Sequence, residues 1–195
     1  MISCSTGKKH IRNAVSLENW REAYKASFLK DDRSPLTQED LSYLDFYEED
    51  PTWKLQCTCT LVKDAKPFEM PLYSGITRTY KVHSILHCIR HNEVIRLQVY
   101  QNISHQANPV FSNYLFLPFK DETNDEETYG GGRYIDLRVS DIVKNKVTID
   151  FNHSYNPWCA FSDGYNCPIP PVENHLPMTV RAGEKKFKGI YKEKK

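Results

Sequence analysis

Arg133 follows Gly130, Gly131 and Gly132, and that juxtaposition has chemical potential. Glycine permits positive φ and a close approach of the backbone. Three in a row could present N–H groups to an anion, with Arg133 as a bidentate clamp. The same residues also serve a tight turn or bulge that binds nothing. A phosphate loop is excluded, because no lysine with serine or threonine follows and the next segment reads as a strand. Upstream, Asp121, Glu122, Asp125, Glu126 and Glu127 could gather round a hard cation. Their spacing is not that of a calcium loop, and a solvated acidic loop accounts for them. Downstream, Asp150, Asn152 and Asn156 fall at a strand end, where such side chains build turns or orient a polar ligand. Pro168, Pro170 and Pro171 stiffen the approach to Glu173 and Asn174, as a strap or as a pocket wall.

Catalytic signatures are sparse. Glu173 or Asp150 could act as the general base of a hydrolase, with or without a metal. No serine stands in a nucleophile elbow, and Ser154 and Ser162 have no base close in sequence, although triads converge in space. His83, His87 and His91 recur every four residues, too far apart along a strand to grip one metal. His153 and His175 with Glu173 would supply two nitrogens and a carboxylate, but no zinc-protease spacing supports them. No metal or cofactor is expected.

The cysteines divide by context. Cys57 and Cys59 alternate with threonine, share one face of a strand and read as small buried hydrophobes, as does Cys88. Cys159 and Cys167 flank a turn-rich loop. A disulfide between them ranks first, buried thiols second and a metal third; the bridge would contribute roughly 2.5 kcal/mol. Near the start, Ile2-Ser3-Cys4-Ser5 looks like the end of a lipoprotein signal without its apolar segment. Cys4 is therefore a candidate lipidation site, and residues 1–13 a tether. The envelope is the expected location, the cytoplasm the alternative.

These residues need a scaffold. The chain of 195 residues, with a net charge of +1, has no global field to attract nucleic acid. No apolar run approaches the ~20 residues that span a bilayer, so membrane contact is expected only through Cys4. Ser16 can cap a helix whose stripe is Leu17, Trp20, Tyr24 and Phe28, and Thr37 opens a second short helix to about Phe46. Both read as scaffold. Strands are expected at 53–62, 68–73, 77–89, 93–102, 114–119, 133–139, 147–151 and 178–181. The fold class is mainly β: an antiparallel sandwich or partly open barrel with two N-terminal helices. A single domain spans 14–190, and the lysine-rich residues 191–195 form a solvated basic tail.

The runs TYGGGRYIDL (128–137), DFNHSYNPWCAF (150–161), CPIPPVENHLP (167–177) and RAGEK (181–185), with YLFLPFKDET upstream, resemble the signature of domain of unknown function family 1684. The resemblance extends over residues 16–188. It implies one compact, mostly β domain and carries no activity with it. Matched position by position, the signature polar set includes Asp121, Thr128, Tyr129, Arg133, Tyr134, Asp136, Asp150, Asn152, Tyr155, Asn156, Cys159, Cys167, Glu173, Asn174, Arg181 and Glu184. His153 stands where the family often has arginine or lysine. Members are often bacterial and some are exported, in keeping with the reading of Cys4.

The leading expectation is a bacterial module that binds a small polar or anionic molecule. Its pocket would be walled by residues 128–134, 150–156 and 173–174, with Arg133 and Arg181 fixing the anion. Tyr129, Tyr134, Tyr155 and Trp158 would supply apolar faces. On that expectation, Arg133→Ala abolishes binding and spares stability. The alternatives are the hydrolase and a structural or interaction protein of the envelope, in which the signature simply locks the fold.

Overall fold

The structure, a computed structural model, describes residues 16–104 and 111–193. Cys4 and the 1–13 tether lie outside the described residues. The strands are β1 (Lys54–Leu61), β2 (Phe68–Pro71), β3 (Thr77–Arg90), β4 (Glu93–Asn102), β5 (Tyr114–Phe119), β6 (Arg133–Arg138) and β7 (Lys146–Asp150). They form one antiparallel sheet in the order β6-β5-β4-β3-β1-β7, with β2 paired to the start of β3. The sheet is a half-barrel, so the partly open barrel holds and the sandwich does not. Residues 178–181 form no strand; Val180 N–H donates to Asp121 Oδ1 rather than to a ladder.

Alternation gives the sheet two different faces. Leu86, Leu97, Val99, Leu115, Leu117, Ile135, Leu137 and Ile149 fill an apolar core on one face. Tyr80, Tyr100, Phe116 and Tyr134 occupy the other face, with Met70 of β2. A bulge between Val82 and Ser84 lets β3 contribute Tyr80 to one face and Ser84, Leu86 and Cys88 to the other. A register slip elsewhere would exchange the faces, so core burial, at about 2 kcal/mol per large side chain, fixes both at once.

Helix α1 (Leu17–Phe28) is the one α-helix among the described residues. Ser16 caps it by accepting from Asn19 N–H at 3.2 Å. Tyr24 and Phe28 on its stripe meet edge to face at 5.1 Å. The expected second helix is a single 3-10 turn, Asp40–Tyr43. The chain straightens at Leu44 because Phe46 must bridge to Glu184 and Tyr47 N–H to Gly183 O. Leu41 and Leu44, three apart, already reach Phe28 and Phe161 from that one turn.

Two expectations for covalent and terminal features change. Cys57 and Cys88 are not separate buried hydrophobes; they form a disulfide. They are direct partners across β1 and β3, with Cα atoms 4.2 Å apart, and directly opposite residues in antiparallel strands stand that close. Cys59 remains a buried thiol. Lys192, expected in a solvated tail, donates its backbone N–H to Phe161 O and pairs its ammonium with Asp40.

Candidate functional site

The glycine–arginine pair turns inward. Gly132 has φ +88°, and a Cβ there would stand 2.6 Å from Phe119 O, so the glycines serve a tight approach of chain to chain. Arg133 is fully buried. Its Nη2 donates to Asp121 Oδ2 at 2.8 Å and to Val180 O at 2.8 Å, and Nη1 donates to Ala182 O and Glu184 O. Its two terminal nitrogens are thus consumed by one carboxylate and three carbonyls, while Nε has no hydrogen-bond partner among the described residues. Arg133 does not face a ligand, which corrects the anion-clamp expectation: the last segment has no strand partner, and Arg133 supplies the missing donors.

Other signature residues do the same work. Asn174 accepts from Gln98 N–H at 2.7 Å and donates to Gln98 O and Pro118 O, stitching β4 to β5 where only Tyr100 and Phe116 pair. Asn152 exchanges two hydrogen bonds with the backbone of Asp50. Asn156 Nδ2 donates to Lys185 O. Thr128 Oγ1 meets Thr123 Oγ1 and accepts from Asn124 Nδ2 within the acidic loop. Asp150 holds Asn152 and His153 and lies 4.0 Å from Lys54, while His153 packs on Trp20. Arg181 makes an exposed fork with Glu127. Segments 128–134, 150–156 and 173–174 therefore interlock through most of their polar side chains; Tyr134 and Tyr155 from the first two share a cleft, and Glu173 borders a different groove. Among the described residues no group of three or more His, Cys, Asp or Glu gathers as a metal site.

Four of the expected residues reach open space elsewhere. Tyr129 leans on Tyr73 in a small groove of about 260 Å³ beside Cys159. Glu173 borders a groove of about 610 Å³ along the proline strap, opposite Tyr100 and Val82. Its other carboxylate, Glu69, is engaged by Thr77 and Thr79, and no serine, threonine or cysteine lines the groove among the described residues. Tyr134 and Tyr155 enter a third space, a cleft of about 510 Å³ on the aromatic face of the sheet.

This cleft is the candidate site. Its floor is a run of rings: Tyr80 to Phe116 at 6.1 Å, Phe116 to Tyr134 at 4.7 Å, and Tyr134 to Tyr155 at 6.0 Å. Its far wall is the loop closed by the Cys159–Cys167 disulfide, which brings Trp158, Tyr165 and Pro168 against the sheet. Tyr114 and Tyr155 each donate to Asp136 Oδ1 at 2.7 Å. Tyr134 donates to Pro168 O and Tyr165 to Arg33 O. Burial first, then the Asp136 charge, pushes the phenols of Tyr114 and Tyr155 well above their ordinary range. Burial does the same for Tyr134. All three stay neutral donors whose hydroxyls already have acceptors. The cleft thus offers ring surface, with Arg33 and Arg78 at its margin.

Sequence reasoning placed Tyr134, Tyr155 and Trp158 as apolar faces but missed Tyr80, Tyr114, Phe116 and Arg78. Their signal was present: in YLFLPF the aromatics Tyr114 and Phe116 share one parity and the leucines the other. Parity does not say which face stays open.

A family model described as "Protein of unknown function (DUF1684)" matches residues 39–185. The chain is also similar to an uncharacterised protein of Haloarcula marismortui, solved by solution NMR. The TM-score is 0.62 at 29% identity, covering 86% of this chain and 95% of that one. No curated protein matches.

Proposed function

Because the chain belongs to the DUF1684 family of proteins of unknown function, we propose that it is a binding module for a small molecule held in the tyrosine-lined cleft. One observation carries this reading: the rings of the second sheet face form a buried floor beneath about 510 Å³ of open space. That volume is within the range of small-molecule sites, which are mostly apolar with a few placed polar groups. The anion of the original expectation moves from Arg133 to the cleft margin.

The test is a small-molecule screen by thermal shift, followed by NMR mapping. A ligand at 100 times its Kd adds about 2.7 kcal/mol, several degrees in Tm. Binders are expected to perturb resonances of Tyr80, Tyr114, Phe116 and Trp158, and Trp158→Ala is expected to abolish the shift. Binding confined to the Tyr129 or Glu173 grooves, or absent throughout the library, would retire the proposal.

A second reading draws on the interlocked signature, which supports a fold-locking role in an envelope protein. The Cys57–Cys88 and Cys159–Cys167 bridges favour an oxidising compartment. Alkylation of the protein in intact cells tests it: bridges found reduced in their native host would count against export. Hydrolysis through Asp150 or Glu173 draws less support, since neither stands in the aromatic cleft.

A further inference from the structure

We infer that the ligand of this cleft is a planar aromatic or heteroaromatic anion whose carboxylate or phosphate is met by Arg78. The inference rests on the cleft being the binding site and adds the chemical class of its occupant.

The interior of the cleft selects first. Its phenol hydroxyls donate to Asp136, Pro168 O and Arg33 O. A sugar or other hydroxyl-rich ligand would lose its hydrogen bonds to water there and find few replacements. What remains is ring surface, from Tyr80 through Phe116 to Tyr134, and a flat ring stacks on or tilts against such a floor.

The charges select second. Arg78 precedes Tyr80 by two positions on β3, so both side chains leave the same face of the sheet. It is exposed and lines the cleft. Among the described residues its guanidinium has no hydrogen-bond or ion-pair partner. Arg33, the other cation at the margin, is already forked onto Asp31 through Nε at 3.0 Å and Nη2 at 2.8 Å. Asp136 lies on β6, three strands across the sheet from β3 and in register with Val82, four residues along β3 from Arg78, so the lateral spacing alone is about 14 Å. An anion is repelled at the Asp136 side and drawn to the β3 side, so the charges orient the ligand as well as hold it. A planar guanidinium meets carboxylate or phosphate with two parallel N–H donors.

The experiment is titration calorimetry of the full chain with three probes sharing one ring: naphthoate, naphthyl phosphate and naphthalenemethanol. The anions are expected to bind at least tenfold more tightly than the alcohol, and the better anion identifies the head group. Arg78→Ala is expected to weaken the anions roughly tenfold to a hundredfold, the range of a charge-assisted hydrogen bond. The alcohol should stay within about twofold, and Arg78→Lys should recover part of the loss. Arg78 is exposed, so the unliganded Tm of both variants should match the parent. Equal binding of alcohol and anions, unchanged by Arg78→Ala, would refute the anion class while leaving the cleft as a site. Failure of all three probes to bind at millimolar concentration would refute the cleft reading as well.

Discussion

Arg133 and Glu184 are both fully buried, but their surroundings differ. Arg133 is enclosed by Asp121 and three carbonyls. Removing one member of a buried pair leaves the other uncompensated, a loss of about 3–5 kcal/mol. Arg133→Ala should therefore lower stability by that order in urea unfolding. A variant as stable as the parent would show that Asp121 finds another partner. Glu184 has no such enclosure. Desolvation raises its pKa to about 8, against the pull of Asn156 N–H, Tyr24 OH and Arg133. Its Oε1 and Asn156 Oδ1 both lack a hydrogen-bond partner among the described residues. As a neutral acid, Glu184 can donate to Asn156 Oδ1 and satisfy both atoms. The folded pKa lies above the ordinary 4.5 of the unfolded chain. This stabilisation is thus complete below about pH 4.5 and is lost as pH rises to about 8. Glu184→Gln keeps a donor and removes the proton, so its Tm should stay flat where that of the parent falls. Parallel Tm–pH curves would show that Glu184 does not carry the dependence.

Among the elements, the strands were the most legible. Alternation located β1 and β3 to β7 within a residue or two, because each strand buries one parity against the core. The second helix failed because capping chemistry at Thr37 and Asp40 starts a turn but cannot show how soon tertiary pairing ends it. There, Asp40 accepts from Thr37 N–H and Lys192. The strand expected at 178–181 failed because its partner is a side chain, Asp121, rather than a strand edge. The disulfides divide in the same manner. Cys159 and Cys167 are close in sequence and could be paired on spacing, whereas Cys57 and Cys88 needed the β1–β3 register. Chain entropy assigns them roughly 2.5 and 3.5 kcal/mol respectively. Cys57 and Cys88 lie under the sheet at 2% and 0% exposure, and Cys159 and Cys167 in the cleft wall at 7% and 8%. A dithiol under native conditions should open the Cys159–Cys167 bridge first, as read by alkylation and peptide mass spectrometry. Reduction of Cys57–Cys88 ahead of it would reverse the assignment of which bridge is accessible.

Across the whole molecule, the chain after β7 forms no strand among the described residues and packs back on the rest of the fold through isolated bridges and side-chain hydrogen bonds. Such a segment must still satisfy its backbone groups once buried. Arg133 and Asn156 satisfy carbonyls of residues 180–185, while Asn152 and Asn174 tie this stretch to the backbone of Asp50, Gln98 and Pro118, which is why so many polar residues crowd a stretch that reads like a binding site. The cleft lies beside this interlock, where the Cys159–Cys167 loop stands off the aromatic face. Composition and periodicity alone determined that this protein is a mostly β molecule with a buried leucine-rich face, because two-residue alternation is written directly in residue order. They also located the unusual concentration of Gly, Pro, Asn and acidic residues after residue 120. Only the tertiary structure decided that Arg133 points inward and Arg78 outward. A side chain's partners are set by segments far away in sequence, and the same arginine is a clamp or a rivet according to what the fold places around it.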